Sequence, residues 1–490
     1  MSLYDRLQVH AENQADKTAI EIDSSAISYY QLKLLVDQCI DYFRSVGLTA
    51  GDRVAILSLN HPDWFIALFA AARTGVILVP MNWRLSVEEL EYVVTDSEPV
   101  MLLHDQEFAD TAAALSNRCP NIRLAGFACA QFPPQTESMS AADDAVKSNL
   151  SDPLLIVYTS GTTGRPKGAV LSQKALLCSA EMSCHMLELE ADDRVLNVLP
   201  LFHVGGLNIQ PLPALLNGAT LLLPLRFDPQ TALQALREKQ VTLITVVPTV
   251  LQALLQSPLW DAAEFDSLRA MSIGSTDVPV SLINQVQKEG IPVLQVYGAT
   301  ETAPVAIYQR IEESHKVGSI GFAGSLCEIK LTNEAGDVVP AGVSGEIQVK
   351  GDNILSSYWN NESATAESIN NGWFKTADVA HQDDEGYYWF DDRLKHVVIS
   401  GGENIYPAEL ERVIREVPGV QELAVVGKPD DRWGEVPVAV IVGSADKQKV
   451  VDACSELAKF KQPREVIFAE SLPKNALGKV QVQKVKEQIL

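Results

Sequence analysis

Leu154-Leu-Ile-Val-Tyr-Thr159, running without a break into Ser160-Gly-Thr-Thr-Gly-Arg-Pro-Lys-Gly168, is the stretch on which the reading of this 490-residue chain turns. The first part is a short apolar run bounded by turn residues, the pattern of a buried strand. The second is a loop of small hydroxyl residues and glycines that lets successive backbone N–H groups face an anion. Thr159, Ser160, Thr162 and Thr163 add donors, Gly161 and Gly164 allow close approach, and Lys167 brings a full charge. It is not a Walker A loop, because Pro166 stands where that pattern needs its second glycine. A flexible surface turn is the plain alternative, but eleven specified positions from Tyr158 to Gly168 weigh against it.

Outward from this strand, further aliphatic runs recur at 53–59, 76–80, 100–104, 219–225, 243–248 and 293–298, with helix-length segments such as LSVEELEYVVTD and PQTALQALREKQ between several of them. Strands alternating with helices predict α/β layers with mainly parallel sheets. From about Ile320 the texture changes to short strands broken by NEAG, PAG and VSG, a β-rich subdomain to about residue 392. After Arg393 the pattern is α+β: Leu410, Val413, Ile414 and Val417 repeat at helical spacing, then strand-like LAVVG and VPVAVIV follow. About 95 residues suffice for a separate small domain. The expected organisation is a large N-terminal α/β domain over 1–392 and a small α+β domain over 396–490.

Composition narrows the function. With 47% hydrophobic and 21% charged residues the chain is a globular protein. A formal net charge of -24 makes nucleic acid a poor partner, although a few oriented N–H groups and cations still suffice for a nucleotide in a pocket. Seven scattered cysteines without C-x-x-C suggest neither a disulfide framework nor a zinc site, and fit a reducing, cytoplasmic compartment. No signal peptide or membrane anchor is read; the most apolar helix candidate, Trp64 to Ala72, is too short to span a bilayer. Oligomeric state is not readable.

The loop Tyr158–Gly168 resembles the phosphate loop of the adenylate-forming family, which includes acyl-CoA synthetases, peptide-synthetase adenylation domains and firefly luciferase. Four further segments resemble that family's motifs in the family's order, from about residue 10 to about 485. Tyr297-Gly-Ala-Thr-Glu-Thr302 is the first; alone it is an ordinary strand exit. The resemblance implies that Tyr297, Gly298 and Ala299 border the nucleotide, that Thr300 touches the α-phosphate, and that Glu301, with Thr163, holds Mg²⁺. Gly372-Trp-Phe-Lys-Thr-Ala-Asp-Val379 implies that Asp378 takes hydrogen bonds from the ribose hydroxyls, with Ala377 where the family usually has glycine. Arg393 is implied as the second ribose contact and Lys395 as the hinge of the small domain. Ser400-Gly401-Gly402, before the helix at Pro407, is implied to border the pantetheine tunnel, although a plain turn with a helix cap fits too. Leu472–Val480 matches the segment carrying the family's catalytic lysine, here Lys479. A cation placed where a carboxylate attacks a phosphate stabilises the transition state more than the ground state.

His203, in Leu199-Pro-Leu-Phe-His-Val-Gly-Gly206, matches a position at the floor or gate of the acyl pocket; a packed histidine at a helix start is the equal alternative. Gly205 and Gly206 are expected to remove bulk near that pocket. Gly274, in the loop Ser272–Pro279 that departs from the family pattern, is placed on the same side; whether Asp277 there acts on the base or lies on the surface stays open.

The resemblance implies a two-step acyl-CoA synthetase: carboxylic acid and ATP give acyl-AMP and pyrophosphate, and CoA then takes the acyl group. Free CoA is favoured over a carrier protein because no carrier segment follows Lys479 and because Gly427–Glu435 resembles the corresponding turn in acyl-CoA synthetases. Medium- or long-chain fatty acids are the leading expectation for the acid. The alternatives are aryl acids such as hydroxycinnamate or o-succinylbenzoate, carrier-protein loading, or an inactive binder.

Overall fold

A computed structural model of the chain describes residues 1–22, 25–126, 149–159, 166–275, 278–400, 403–430, 433–457, 459, 461–474 and 480–489. Two large sheets carry its first part. One has seven strands in the order Ser357–Tyr358, Lys167–Ser172, Pro153–Thr159, Ile77–Pro80, Arg53–Leu57, Met101–His104, Arg123–Gly126. The other has nine: Phe322–Ala323, Ile307–Tyr308, Val293–Tyr297, Ala270–Gly274, Leu243–Val246, Arg194–Asn197, Thr220–Leu222, Thr18–Ile22, Ser25–Ser28. The inner pairings of both are parallel and the antiparallel ones lie toward the edges. This is the mainly parallel α/β architecture that the strand and helix alternation predicts, with apolar runs because both faces are covered.

The helix Asp63–Thr74 shows why the sheets hold together. Residues Asp63 to Ala72 are all buried, and an apolar helix with no polar face belongs inside a core. Trp64, Phe65, Ile66 and Phe69 join one cluster with Leu103 and Leu155 of the first sheet and Leu221 and Leu243 of the second. The helix is a core element, and no helix among the described residues is long and apolar enough to cross a membrane.

A five-stranded antiparallel sheet follows, built from Cys327–Thr332, Gly345–Gly351, Ile369–Asn370, Trp373–Gln382 and Tyr388–Arg393. The last part of the chain has its own sheet, in which the hairpin Val420–Asp430 and Gly434–Gly443 is flanked by Val398–Ser400 with Glu403–Ile405 and by Glu465–Phe468. The helix Pro407–Arg415 closes one face of it over a core of Leu410, Ile414, Val425 and Ile441. The described structure thus has a large N-terminal α/β part with a β-rich portion and a smaller C-terminal α+β part.

Candidate active site

The strand Pro153–Thr159 delivers the phosphate loop, and the antiparallel strand Lys167–Ser172 receives it, with Thr159 opposite Lys167. Ser160, Gly161, Thr162, Thr163 and Gly164 lie outside the described residues. Both ends of the loop are held by the helix Val87–Ser97: the Tyr158 hydroxyl donates to Asp96 Oδ2 at 2.5 Å, and the Tyr92 hydroxyl donates to the Pro166 carbonyl at 3.1 Å. Lys167 Nζ stands over the ring of Tyr358, 5.4 Å from its centre.

The second segment leaves the strand Val293–Tyr297 through Gly298, where an added Cβ would lie 1.6 Å from the Pro304 carbonyl oxygen, so only glycine fits. The 3₁₀ turn Thr300–Thr302 comes next, closed by a bond from the Ala299 N–H to Thr302 Oγ1. Glu301 Oε1 accepts from the Tyr358 hydroxyl at 2.9 Å. Burial raises the pKa of Glu301 above the ordinary carboxylate range, with the charge of Asp378 adding to it and that of Arg393 opposing it.

Asp378 reaches this region because its strand bulges. Between the pairs Gln348 with Lys375 and Glu346 with Val379, the strand Trp373–Gln382 carries two extra residues, and Ala377 takes a left-handed backbone with φ 57°. The family's usual glycine at this position is thereby explained, since that region favours glycine. Asp378 Oδ2 accepts from the Tyr297 hydroxyl at 2.8 Å, Oδ1 lies 3.3 Å from Arg393 Nε, and the residue is 7% exposed. Burial, then the neighbouring Asp378 charge, pushes the Tyr297 phenol up.

The structure therefore gathers Thr159, Lys167, Tyr297, Gly298, Ala299, Thr300, Glu301, Asp378 and Arg393 around the carboxyl ends of two parallel sheets, where α/β folds characteristically bind ligands. Lys395 lies in the 3₁₀ turn Leu394–His396, with its side chain outside the described set. Ser400 is buried in the sheet of the smaller part, paired with Gly434. Gly401, Gly402, Asp277 and Lys479 lie outside the described residues.

His203 is the residue before the short helix Val204–Asn208, its ring 4.8 Å from that of Phe202. The two neighbouring glycines separate. Among the described residues, a Cβ on Gly205 would meet Ile209 Cδ1 and Ser275 Oγ, each at an ordinary contact distance of 3.8 Å, whereas one on Gly206 would fall 2.2 Å from the Pro200 carbonyl oxygen. A methyl group is tolerated at Gly205, whereas Gly206 is demanded by backbone packing, which differs from the expectation that both clear space. Gly274 is of the second kind, because its Cβ would lie 2.3 Å from the Val296 carbonyl oxygen.

Tyr358 and Asp96 escape a sequence reading. Neither sits in a Gly-rich or acidic pattern, and only the pairing of Ser357–Tyr358 with Lys167–Ser172 brings the tyrosine to the site. The donor set suits Mg²⁺, which commonly uses one or two protein carboxylates and completes its shell with phosphate oxygens and water. Glu301 is one partly buried carboxylate that shares Tyr358 with Lys167, and no cluster of three or more candidate metal ligands occurs among the described residues.

Residues 7–359 match the model of the AMP-binding enzyme family, and residues 409–479 match that of the AMP-binding enzyme C-terminal domain. The chain is 41% identical to an indoleacetate–CoA ligase of Aromatoleum aromaticum, over 99% of this chain and 98% of the relative. It is 33% identical to a long-chain-fatty-acid–CoA ligase of Mycobacterium tuberculosis, over 99% and 95%. A solved o-succinylbenzoate CoA synthetase of Bacillus subtilis, in complex with its acyl-adenylate intermediate, superposes with a TM-score of 0.87 at 31% identity, covering 99% of this chain and 98% of that one. This chain belongs to the AMP-binding enzyme family, as an AMP-forming ligase that joins a carboxylic acid to the thiol of coenzyme A using ATP.

Proposed function

We propose that the acid is an aryl acid with a short carboxylate arm, and that the gathered residues carry the two half-reactions as follows. Lys167 and the loop from Thr159 through Ser160, Gly161, Thr162, Thr163 and Gly164 grip the triphosphate. Asp378 accepts from the ribose hydroxyls and Arg393 donates beside it. Tyr297, Gly298 and Ala299 border the base and ribose. A carboxylate oxygen attacks the α-phosphorus, the bond to the bridging oxygen breaks, and pyrophosphate leaves. Thr300 and Lys479 stabilise the charge that builds on the α-phosphate during attack. Glu301 and Thr163 would hold Mg²⁺, which when bound neutralises phosphate charge.

In the second half-reaction the CoA sulfur, having lost its proton, attacks the acyl carbonyl carbon and AMP departs. The pyrophosphate grip and the thiol channel need different arrangements, so the small domain turns about Lys395, bringing Ser400, Gly401 and Gly402 toward the thiol side. The observation that carries the reaction assignment is the meeting of Lys167 and Glu301 on Tyr358, with Asp378 held by Tyr297 at the start of the segment that bears Glu301 and paired with Arg393.

The aryl reading is supported by the identity gradient from the indoleacetate ligase (41%) to the fatty-acid ligase (33%). The absence of a side chain at Gly205, between Ile209 and Ser275 and next to the Phe202–His203 ring pair, is compatible with a flat ring that has a polar edge. The test is a panel of indoleacetate, hydroxycinnamates, benzoates, octanoate and palmitate with ATP, Mg²⁺ and CoA. Acyl-CoA is followed by mass, with Lys479→Ala as control. Arylalkanoate or hydroxycinnamate turnover at least ten times that of either fatty acid is expected; preference for a fatty acid overturns the aryl reading.

A further inference from the structure

Residues 353–359 form a strap between the two large sheets. On one side the strap holds the Glu301 turn: Asn353 Nδ2 donates to the Val305 carbonyl at 2.8 Å, and the Leu355 N–H donates to the Glu301 carbonyl at 2.7 Å. On the other it holds the strand that begins with Lys167. Ser357 and Tyr358 pair with Val170 and Ala169, and the Trp359 N–H donates to the Gly168 carbonyl at 2.7 Å. Tyr358 lies where the two sets of contacts meet and is 8% exposed. Its ring face carries Lys167 Nζ and its hydroxyl donates to Glu301 Oε1.

We infer that Tyr358 is a positioning residue of the ligase reaction, a spacer that holds the phosphate lysine and the acidic side chain apart while orienting both. The inference rests on the reading of Glu301 as the Mg²⁺ carboxylate. Neither Glu301 nor Lys167 has an ion-pair partner among the described residues. Opposite charges left to approach would pair, and each would then be withdrawn from its ligand. An aromatic ring offers a cation an attractive face without using its N–H groups, so Lys167 keeps all three for phosphate oxygens. The phenol at the same ring's edge fixes one carboxylate oxygen, as outer partners of metal ligands commonly do. A tyrosine provides both contacts from one side chain.

The experiment is Mn²⁺ titration of the full-length protein with ATP, followed by electron paramagnetic resonance, for wild type, Tyr358→Phe, Tyr358→Leu, Glu301→Gln and the double variant Tyr358→Phe/Glu301→Gln. Thermal melting confirms folding of each. Tyr358→Phe is expected to weaken Mn²⁺ binding about 10-fold, to raise KM for MgATP more than it lowers kcat, and to add nothing in the Glu301→Gln background. Tyr358→Leu, which also removes the ring between the charges, is expected to weaken ATP binding further. Wild-type Mn²⁺ affinity in Tyr358→Phe, or a loss that adds fully to that of Glu301→Gln, overturns the positioning role while leaving Glu301 as the metal carboxylate. Unchanged Mn²⁺ binding in Glu301→Gln would instead remove the metal assignment and the inference with it.

Discussion

Ala377 holds a left-handed backbone directly before Asp378, and an L-residue there is strained by roughly 1–2 kcal/mol. Glycine relieves that strain but adds freedom to the unfolded chain, worth about 0.4–1 kcal/mol. Ala377→Gly is therefore expected to stabilise the protein by about 0.5–1 kcal/mol in urea denaturation without raising KM for ATP. Loss of stability would mean that the methyl group packs usefully. Asp378→Ala, by contrast, leaves the Tyr297 hydroxyl and Arg393 without their common acceptor, and a rise of at least about 10-fold in KM for ATP is expected from the lost charge-assisted bonds. At this scale the segments carrying Thr159, Lys167, Glu301 and Asp378 stand out in the sequence because each is a dense local pattern. Tyr358 and Asp96 do not: their partners lie 57 and 62 positions away, and only strand pairing brings them together.

Among elements, long aliphatic strands were readable, and the runs at 53–59, 154–159 and 293–298 all became strands. Strands such as Ser25–Ser28, Lys167–Ser172 and Ala270–Gly274 escaped, because polar or small residues give them no continuous apolar signature. Glycines were misread in the same way, since a sequence cannot tell an open position from a crowded one. Gly205→Ala should fold normally and narrow substrate choice, while Gly206→Ala should melt several degrees lower because its Cβ meets backbone. Equal melting temperatures would void that distinction.

The strands Trp373–Gln382 and Tyr388–Arg393 carry a titrating link. His381 Nδ1 lies 2.8 Å from Asp391 Oδ1, and that hydrogen bond holds the imidazole pKa above its ordinary value near 6.5. A raised folded-state value means that the link stabilises fully below about pH 6.5 and fades as pH climbs through the raised value. Its solvent exposure keeps the effect modest. Melting temperature should fall more between pH 6 and pH 8.5 for wild type than for His381→Gln; identical slopes would show that the pair contributes nothing.

The whole molecule shows two scales of cohesion. The small part has its own core, with Leu410 and Ile414 fully buried in a cluster distinct from those of the large sheets. Its links to the strand Tyr388–Arg393 include the Ala408 N–H to Asp392 Oδ2 at 2.7 Å and Arg412 to the Phe390 carbonyl. Calorimetry should resolve two transitions. Leu410→Ala, expected to cost about 2–5 kcal/mol as a buried leucine truncation, should lower one of them and leave the other, which ATP raises, in place. A single transition shifting as a unit would deny the small part independent stability. The sequence shows a change of periodicity near residue 393, where the boundary is proposed, but not how the two parts touch, because single polar contacts leave no pattern.

Asp378 and Arg393 face each other across one rung of a strand pair, and Arg393 is the last residue before the turn from which the small part departs. In the proposed site, a ribose gripping that rung stiffens the pivot. Linkage then works in reverse, so whatever freezes the pivot tightens the ribose by the same factor. Retention of AMP after the thioester has left and the freedom of the small domain to reset for the next ATP would then be two readings of a single free energy.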